Sequence, residues 1–228
     1  MTTRHDCMQR TMALLLPILL GVAIAFSAWG AGSAASPTAP IAWDAARSLT
    51  WSEFRGPPPA DAALRCEASA ISMTLGWYAS FTVSNDPRSG RWRAVLDNAL
   101  LSVKNTMDPL RSWVAAGGQR SDVLRHEQRH FDLNECYRRR LESALLGLQA
   151  EGPTDAAAEQ ALQTALSQTA ERVLAEANDA QSRYDIQTAH GLDPARQAEW
   201  DALITSWLTG APMALPGQVT PHRVGSSG

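Results

Sequence analysis

The sequence predicts an α+β fold, a small antiparallel sheet followed by a helical region. Two patterns carry the fold class: a period-two alternation from Ile71 to Val83, and a change to helical periodicity from Ser121 onward. Composition supports a folded body, because 45% of the 228 residues are hydrophobic and 19% are charged. The formal net charge of −3 offers no clustered positive charge, so neither nucleic acid nor an anionic membrane surface is an expected partner.

Arg4 and Arg10 precede an uncharged stretch from Thr11 to Gly30, and small residues follow it, which is the order of a secretory signal peptide. Residues 1–35 are read as that signal, with cleavage after Ala34 or Ala35 and a periplasmic or secreted destination. The apolar run is also long enough for an uncleaved anchor, the one circumstance in which a membrane contact is expected. Cys7 lies before the run, where it cannot serve as a lipoprotein anchor. Cleavage leaves Cys66 and Cys136, consistent with one disulfide or with two buried thiols.

Residues 36–48 read as a Pro and Ala linker, residues 49–209 as the folded domain, and residues 210–228 as a mobile tail without periodicity. Leu49 to Gly56 is expected to be a first strand closed by Pro57, Pro58 and Pro59. In the next strand Ile71, Met73, Leu75, Trp77, Ala79, Phe81 and Val83 share one face. After the turn residues Asn85 to Gly90, the alternating Leu101, Val103, Asn105 and Met107 are expected to pair back as a hairpin.

Ser121 is placed to cap a first helix whose stripe of Tyr137, Leu141, Leu145 and Leu148 stops before Gly152 and Pro153. Thr154 can cap a second, with Leu162, Leu166, Thr169, Val173 and Ala177 on its apolar face. Asp193 and Pro194 open a third, which carries Trp200, Leu203, Ile204, Trp207 and Leu208 on one side.

His126, Glu127, Gln128, Arg129 and His130 spell HExxH inside the first helix. Four residues advance a helix by about 400°, so both imidazoles leave one face a turn apart and can take adjacent positions on a zinc ion. Glu127 stands beside them, placed to accept a proton from a metal-bound water. The flanking arginines would equally suit a solvated helix face without a metal. A metzincin-like extension is absent, since Leu133 and Cys136 occupy its Gly and His positions.

A third ligand is therefore needed from elsewhere. His222 lies in the tail, which leaves His190 as the histidine candidate, in the stretch YDIQTAHG from Tyr184 to Gly191. If the first two helices fold back near Gly152, residue 178 lies about level with residue 126, which favours Glu171 or Glu176. Asp185 is a further possibility.

LTWSEFRG near the start, SWV at Ser112 to Val114, LRHEQRHFDLNE around the motif, and YDxxTxHG followed by Gln197 and Trp200 together resemble an uncharacterised bacterial family of predicted secreted zinc-dependent proteases. The resemblance spans most of residues 47–208. It implies a zincin-like arrangement with zinc on His126 and His130, Glu127 as the base and a role for YDxxTxHG, and it raises His190 above Glu171 and Glu176. Arg129 departs from zincin helices, which avoid charge at that position, and points to a modified site.

Tyr184 could donate its hydroxyl to an oxyanion formed at a peptide carbonyl, and Asp185 or Thr188 could orient a zinc-bound imidazole. The function expected is that of an exported zinc metallopeptidase, a hydrolase acting on peptide or protein substrates. The alternative is a non-catalytic envelope protein that keeps the fold as a zinc-binding or scaffold module. Export is directly testable: the chain recovered from cells should begin near Ser36, whereas an intact Met1 on a membrane-retained chain would establish the anchor instead.

Overall fold

The structure, a computed structural model, describes residues 8–12, 38–62 and 67–215. Its strands are β1 (Met8–Met12), β2 (Ile41–Ala42), β3 (Ser69–Ala70), β4 (Met73–Asp86), β5 (Arg91–Leu96), β6 (Ser102–Met107), β7 (Trp113–Val114) and β8 (Gln149–Gly152). Its helices are α1 (Ser121–Leu145), α2 (Asp155–Thr188) and α3 (Pro194–Leu208). The expected α+β class is the one observed. The main sheet is antiparallel throughout, in the order β2-β6-β4-β5-β8, with β1 beside Ala79–Val83 of β4. β3 and β7 form a separate two-stranded sheet near the start of α1.

β4 is the spine. Leu75, Trp77, Ala79, Phe81 and Val83 alternate toward the core, as their spacing predicts. They meet Leu133 and Leu141 of α1, Leu162, Leu166 and Val173 of α2, and Trp200 and Ile204 of α3 in one cluster. Each such large side chain removed from water stabilises the fold by roughly 1.5–3 kcal/mol. The sheet is also tied to α1 by a buried polar link: Asn105 of β6 donates to the Phe131 carbonyl at 3.1 Å and accepts from Asn134 at 2.7 Å.

The expected first strand over Leu49 to Gly56 is instead a 3₁₀ turn at Trp51–Glu53. The Glu53 carboxylate accepts the Thr50 backbone N–H at 2.7 Å, which closes the turn, and Gly56 keeps only a single parallel bridge to Trp113. The expected hairpin also differs. β5 pairs with the second half of β4 across the turn at 87–90, and β6 lies on the opposite edge, along the first half of β4. Arg91, Trp92, Arg93, Ala94, Val95 and Leu96 carry a readable alternation, with Ala94 and Leu96 buried and Arg91 and Arg93 exposed.

The first helix ends at Leu145, earlier than its stripe suggests, because Gly147 turns the chain with φ 77° into β8. The caps at Thr154 and Asp193 form as expected: Thr154 accepts from Ala157 N, and Asp193 accepts from Ala195 and Arg196 N. Past Gly210, Met213 and Leu215 pack on the core, so the beginning of the expected mobile tail is docked. The export signal, apart from 8–12, lies outside the described residues, as do Cys66 and His222. Cys136 is buried. No helix among the described residues is long and apolar enough to cross a membrane.

Candidate metal centre

His126 and His130 leave the same face of α1 one turn apart, and their rings meet edge to face with centroids 4.6 Å apart. Both are buried. Their Nε2 atoms lie 3.1 Å apart, and Oδ1 of Asp185 stands 3.1 Å from the first and 3.0 Å from the second. These three are the group among the described residues whose donor atoms converge as metal ligands do. A tetrahedral zinc ion with ligands at about 2.0–2.1 Å separates them by about 3.3 Å, so a triangle of this size suits it after a slight expansion. Two imidazoles and one carboxylate also match the donor type and number of catalytic zinc sites.

The far side of each ring is held as a metal ligand requires. His130 Nδ1 lies 2.7 Å from the side-chain oxygen of Gln181, whose amide nitrogen donates back to the His130 carbonyl at 3.1 Å. His126 Nδ1 lies 3.1 Å from the side-chain oxygen of Gln197. An amide oxygen can only accept, so each Nδ1 carries a hydrogen, and Nε2 is the nitrogen left to bind a metal once it gives up any proton it holds.

The named residues of the YDxxTxHG motif, Tyr184, Asp185, Thr188, His190 and Gly191, gather around this centre. Tyr184 is fully buried and stacks on His126 at 4.6 Å, and Trp200 packs edge-on against it at 5.5 Å. The Tyr184 hydroxyl donates to the His126 carbonyl at 3.2 Å and accepts from Gln197 at 2.7 Å. Burial pushes its pKa well above the usual tyrosine range. The hydroxyl expected to reach an oxyanion is thus engaged in the interior, where it positions the His126 turn. Thr188 accepts the Gly191 N–H at 3.3 Å across the end of α2.

Ala189, His190 and Gly191 all adopt positive φ, at 50°, 54° and 82°. The third must be glycine for a second reason: a Cβ there would lie 3.1 Å from Cβ and Cγ of His126. His190 points outward on this turn, with its side chain 71% exposed and Nδ1 3.5 Å from Oδ1 of Asp185. The structure brings His126, His130 and Asp185 together and leaves His190 at the rim.

Glu171 and Glu176 do not join the group; Glu176 is paired with Arg140 at 2.6 Å. The helix hairpin sets Asp185 level with His126 and Gln181 level with His130, about two turns beyond the register expected from a fold at Gly152. β8 accounts for the difference, because an extended strand carries the chain onward at about 3.3 Å per residue and α2, packed back along it at about 1.5 Å per residue, needs extra turns to come level with α1.

Glu127 lies beside the ligands but is tied to β3 and the residue after it. One carboxylate oxygen accepts the Ser69 hydroxyl at 2.6 Å, and the other accepts the Ile71 N–H at 2.9 Å. Arg129 turns away from the metal face toward Asp132 and Asp201, at 2.9 and 3.1 Å. It therefore adds no charge among the ligands. Gln181 and Asp201 were not singled out from the sequence, though both fall on apolar stripes: Gln181 continues Val173 and Ala177, and Asp201 stands with Gln197, Trp200 and Ile204. A polar residue on a buried stripe was the available signal.

Residues 90–191 match DUF922, a family of bacterial proteins of unknown function. The match includes HExxH and YDxxTxHG and ends before Gln197 and Asp201. No curated protein and no solved structure matches the chain.

Two measurements test the ligand set. Asp185→Ala should weaken zinc binding by orders of magnitude while His190→Ala changes it several-fold at most; the opposite ranking would move the third ligand to His190. The second concerns protons. In the metal-free protein burial opposes a charged His130, but the hydrogen bond and charge of Asp185 prevail and raise its pKa to about 9. Asp185 is held well below the usual carboxylate range, its bonds to His126 and His130 outweighing burial. The pair's contribution is therefore present between about pH 4 and 6.5 and is lost as pH rises through about 9. Melting of metal-free wild type against Asp185→Asn should show an advantage that shrinks from pH 6.5 to 10, and a constant advantage would refute the coupling.

Proposed function

We propose that the chain is an exported, zincin-like, zinc-dependent peptidase of bacterial origin. One observation supports this above the others: two Nε2 atoms and one carboxylate oxygen converge within 3.1 Å, while both Nδ1 atoms face side-chain amide oxygens. Nothing about a solvated helix face calls for such an arrangement. His126, His130 and Asp185 would hold the zinc, and Asp185 is 31% exposed, so the centre is open on the side where a substrate carbonyl would approach. When bound, the metal supplies Lewis-acid polarisation of that carbonyl and lowers the pKa of a water.

Glu127 is the base in this reading. Ser69 and Ile71 each occupy one acceptor position on its two oxygens, and a carboxylate oxygen has two. The anchored carboxylate thus keeps capacity for a proton while its orientation is set by β3. Tyr184, Gln181 and Gln197 position the imidazoles, and peptides or proteins are the substrate class.

A second reading has its own observation. Glu127 is only 4% exposed and cross-links α1 to the β3 segment, which a purely structural residue would also do. In that case the chain is a metal-binding scaffold of the envelope without turnover. Glu127→Gln separates the two. For the peptidase, the variant should keep about one zinc per chain and lose cleavage of an unstructured protein substrate by about 100-fold or more. For the scaffold, wild type loaded with zinc should show no cleavage at all. Metal content should be measured for iron(II) as well, since two histidines and a carboxylate also serve that ion.

A further inference from the structure

The glutamine amide that faces each histidine fixes which ring nitrogen carries a hydrogen, so the orientation of that amide matters. Gln181 is anchored locally, because its nitrogen donates to the carbonyl of the very residue whose ring it faces. Gln197 has no such anchor. Its nitrogen points instead at the Tyr184 hydroxyl, 2.7 Å away, and at Oδ1 of Asp201, 2.9 Å away. A hydroxyl can accept or donate, so Tyr184 would tolerate either end of the amide. Asp201 is different: an ionised carboxylate only accepts, and it would repel the amide oxygen.

Asp201 is in turn held by Arg129, the residue that interrupts the HExxH motif with a charge. The Arg129 Nε donates to the same Oδ1 at 3.1 Å, and Nη1 of Arg129 reaches Asp132 at 2.9 Å. Arg125 lies 3.7 Å from the other oxygen of Asp201. Trp43 and Gln128 donate to Asp132 at 2.9 and 2.8 Å, which fixes the far end of the chain of contacts.

We propose that Arg129 and Asp201 are positioning residues that fix which end of the Gln197 amide faces His126, and so commit His126 to metal binding through Nε2. This rests on His126 being a metal ligand. The arrangement gives the unexpected arginine of the motif a purpose: it acts from behind the metal face, through α3, and not on the metal. If the amide turned over, its nitrogen would face Nδ1, the ring would carry its hydrogen on Nε2, and one donor of the centre would be lost.

The test compares variants that differ in what they offer Gln197. Asp201→Leu removes the acceptor and should weaken zinc binding about 10–100-fold, the range seen when such outer partners of a ligand are lost. Asp201→Asn keeps an oxygen able to accept from both Gln197 and Arg129, and should retain affinity within a few-fold. Because Asp201 acts through Gln197, adding Asp201→Leu to Gln197→Ala should cause little further loss. A structural role for Asp201 would instead make the two losses additive, and additivity, or unchanged affinity in a folded Asp201→Leu protein, would overturn the proposal.

A second readout needs no metal. Nitrogen chemical shifts of the His126 ring in the metal-free protein should show hydrogen on Nδ1 in wild type and in Asp201→Asn, and a mixture of tautomers in Asp201→Leu. Nδ1–H retained in full in Asp201→Leu would overturn the proposal. Should wild type bind no zinc, the peptidase reading fails by itself, and these spectra still decide what Asp201 does to Gln197 and His126.

Discussion

Two imidazoles buried four residues apart on one helix are a polar load that an apolar core cannot carry unpaired, and the packing of α2 and α3 against α1 answers that load. Each ring nitrogen has a partner. Gln181 and Gln197 take the outer nitrogens, and Asp185 faces both inner ones. Aromatic surface fills the remaining space, with Tyr184 against both rings and Trp200 behind it. Moving α2 by one turn would leave His130 without Gln181 and both rings without Asp185. The register between α1 and α2 is therefore under a constraint that apolar packing alone would not impose.

That constraint reaches the chain on either side. α2 must stop just past Asp185 so that the following turn can pass over His126, and Thr188 and Gly191 make the turn possible, one by a hydrogen bond and the other by having no side chain. α3 must then start at once, because Gln197 lies in its first turns, and the Asp193 cap with Pro194 starts it. On other faces of α1, Ser69 and Ile71 fasten Glu127, while Asn105 fastens the Phe131 and Asn134 turns to the sheet. The motif helix is clamped on more than one face, so protein contacts alone orient its two histidines.

Much of the fold was legible because the physics that forms it is local. The long strand showed its alternation, the helices their stripes, and Thr154 and Asp193 their caps; Ser121, expected to cap α1, is instead its first residue, after an N-cap at Arg120 that makes no side-chain capping bond. The errors arose where a local signal had two readings. Leu49 to Gly56 has strand-like composition, but the Glu53 carboxylate on the Thr50 N–H favours a turn. The stripe of α1 runs on to Leu148, yet Gly147 ends the helix and frees 149–152 to pair with β5. That missed strand displaced the helix register and with it the expected neighbours of His126.

By itself the sequence determined the pair of histidines and the acid between them, because i, i+4 spacing on a helix is a local property that needs no partner, while the weight placed on YDxxTxHG came from the family resemblance. Only the tertiary structure decided the rest. Which residue completes the group depends on how far α2 slides along α1, and a four-residue strand between them changes that by about two turns. The tautomer of each histidine depends on a glutamine more than fifty positions away. The role of Arg129 depends on an aspartate brought in by a third helix. Spacing along a chain records what one helix presents, but the distance between two helices is set by everything that packs between them.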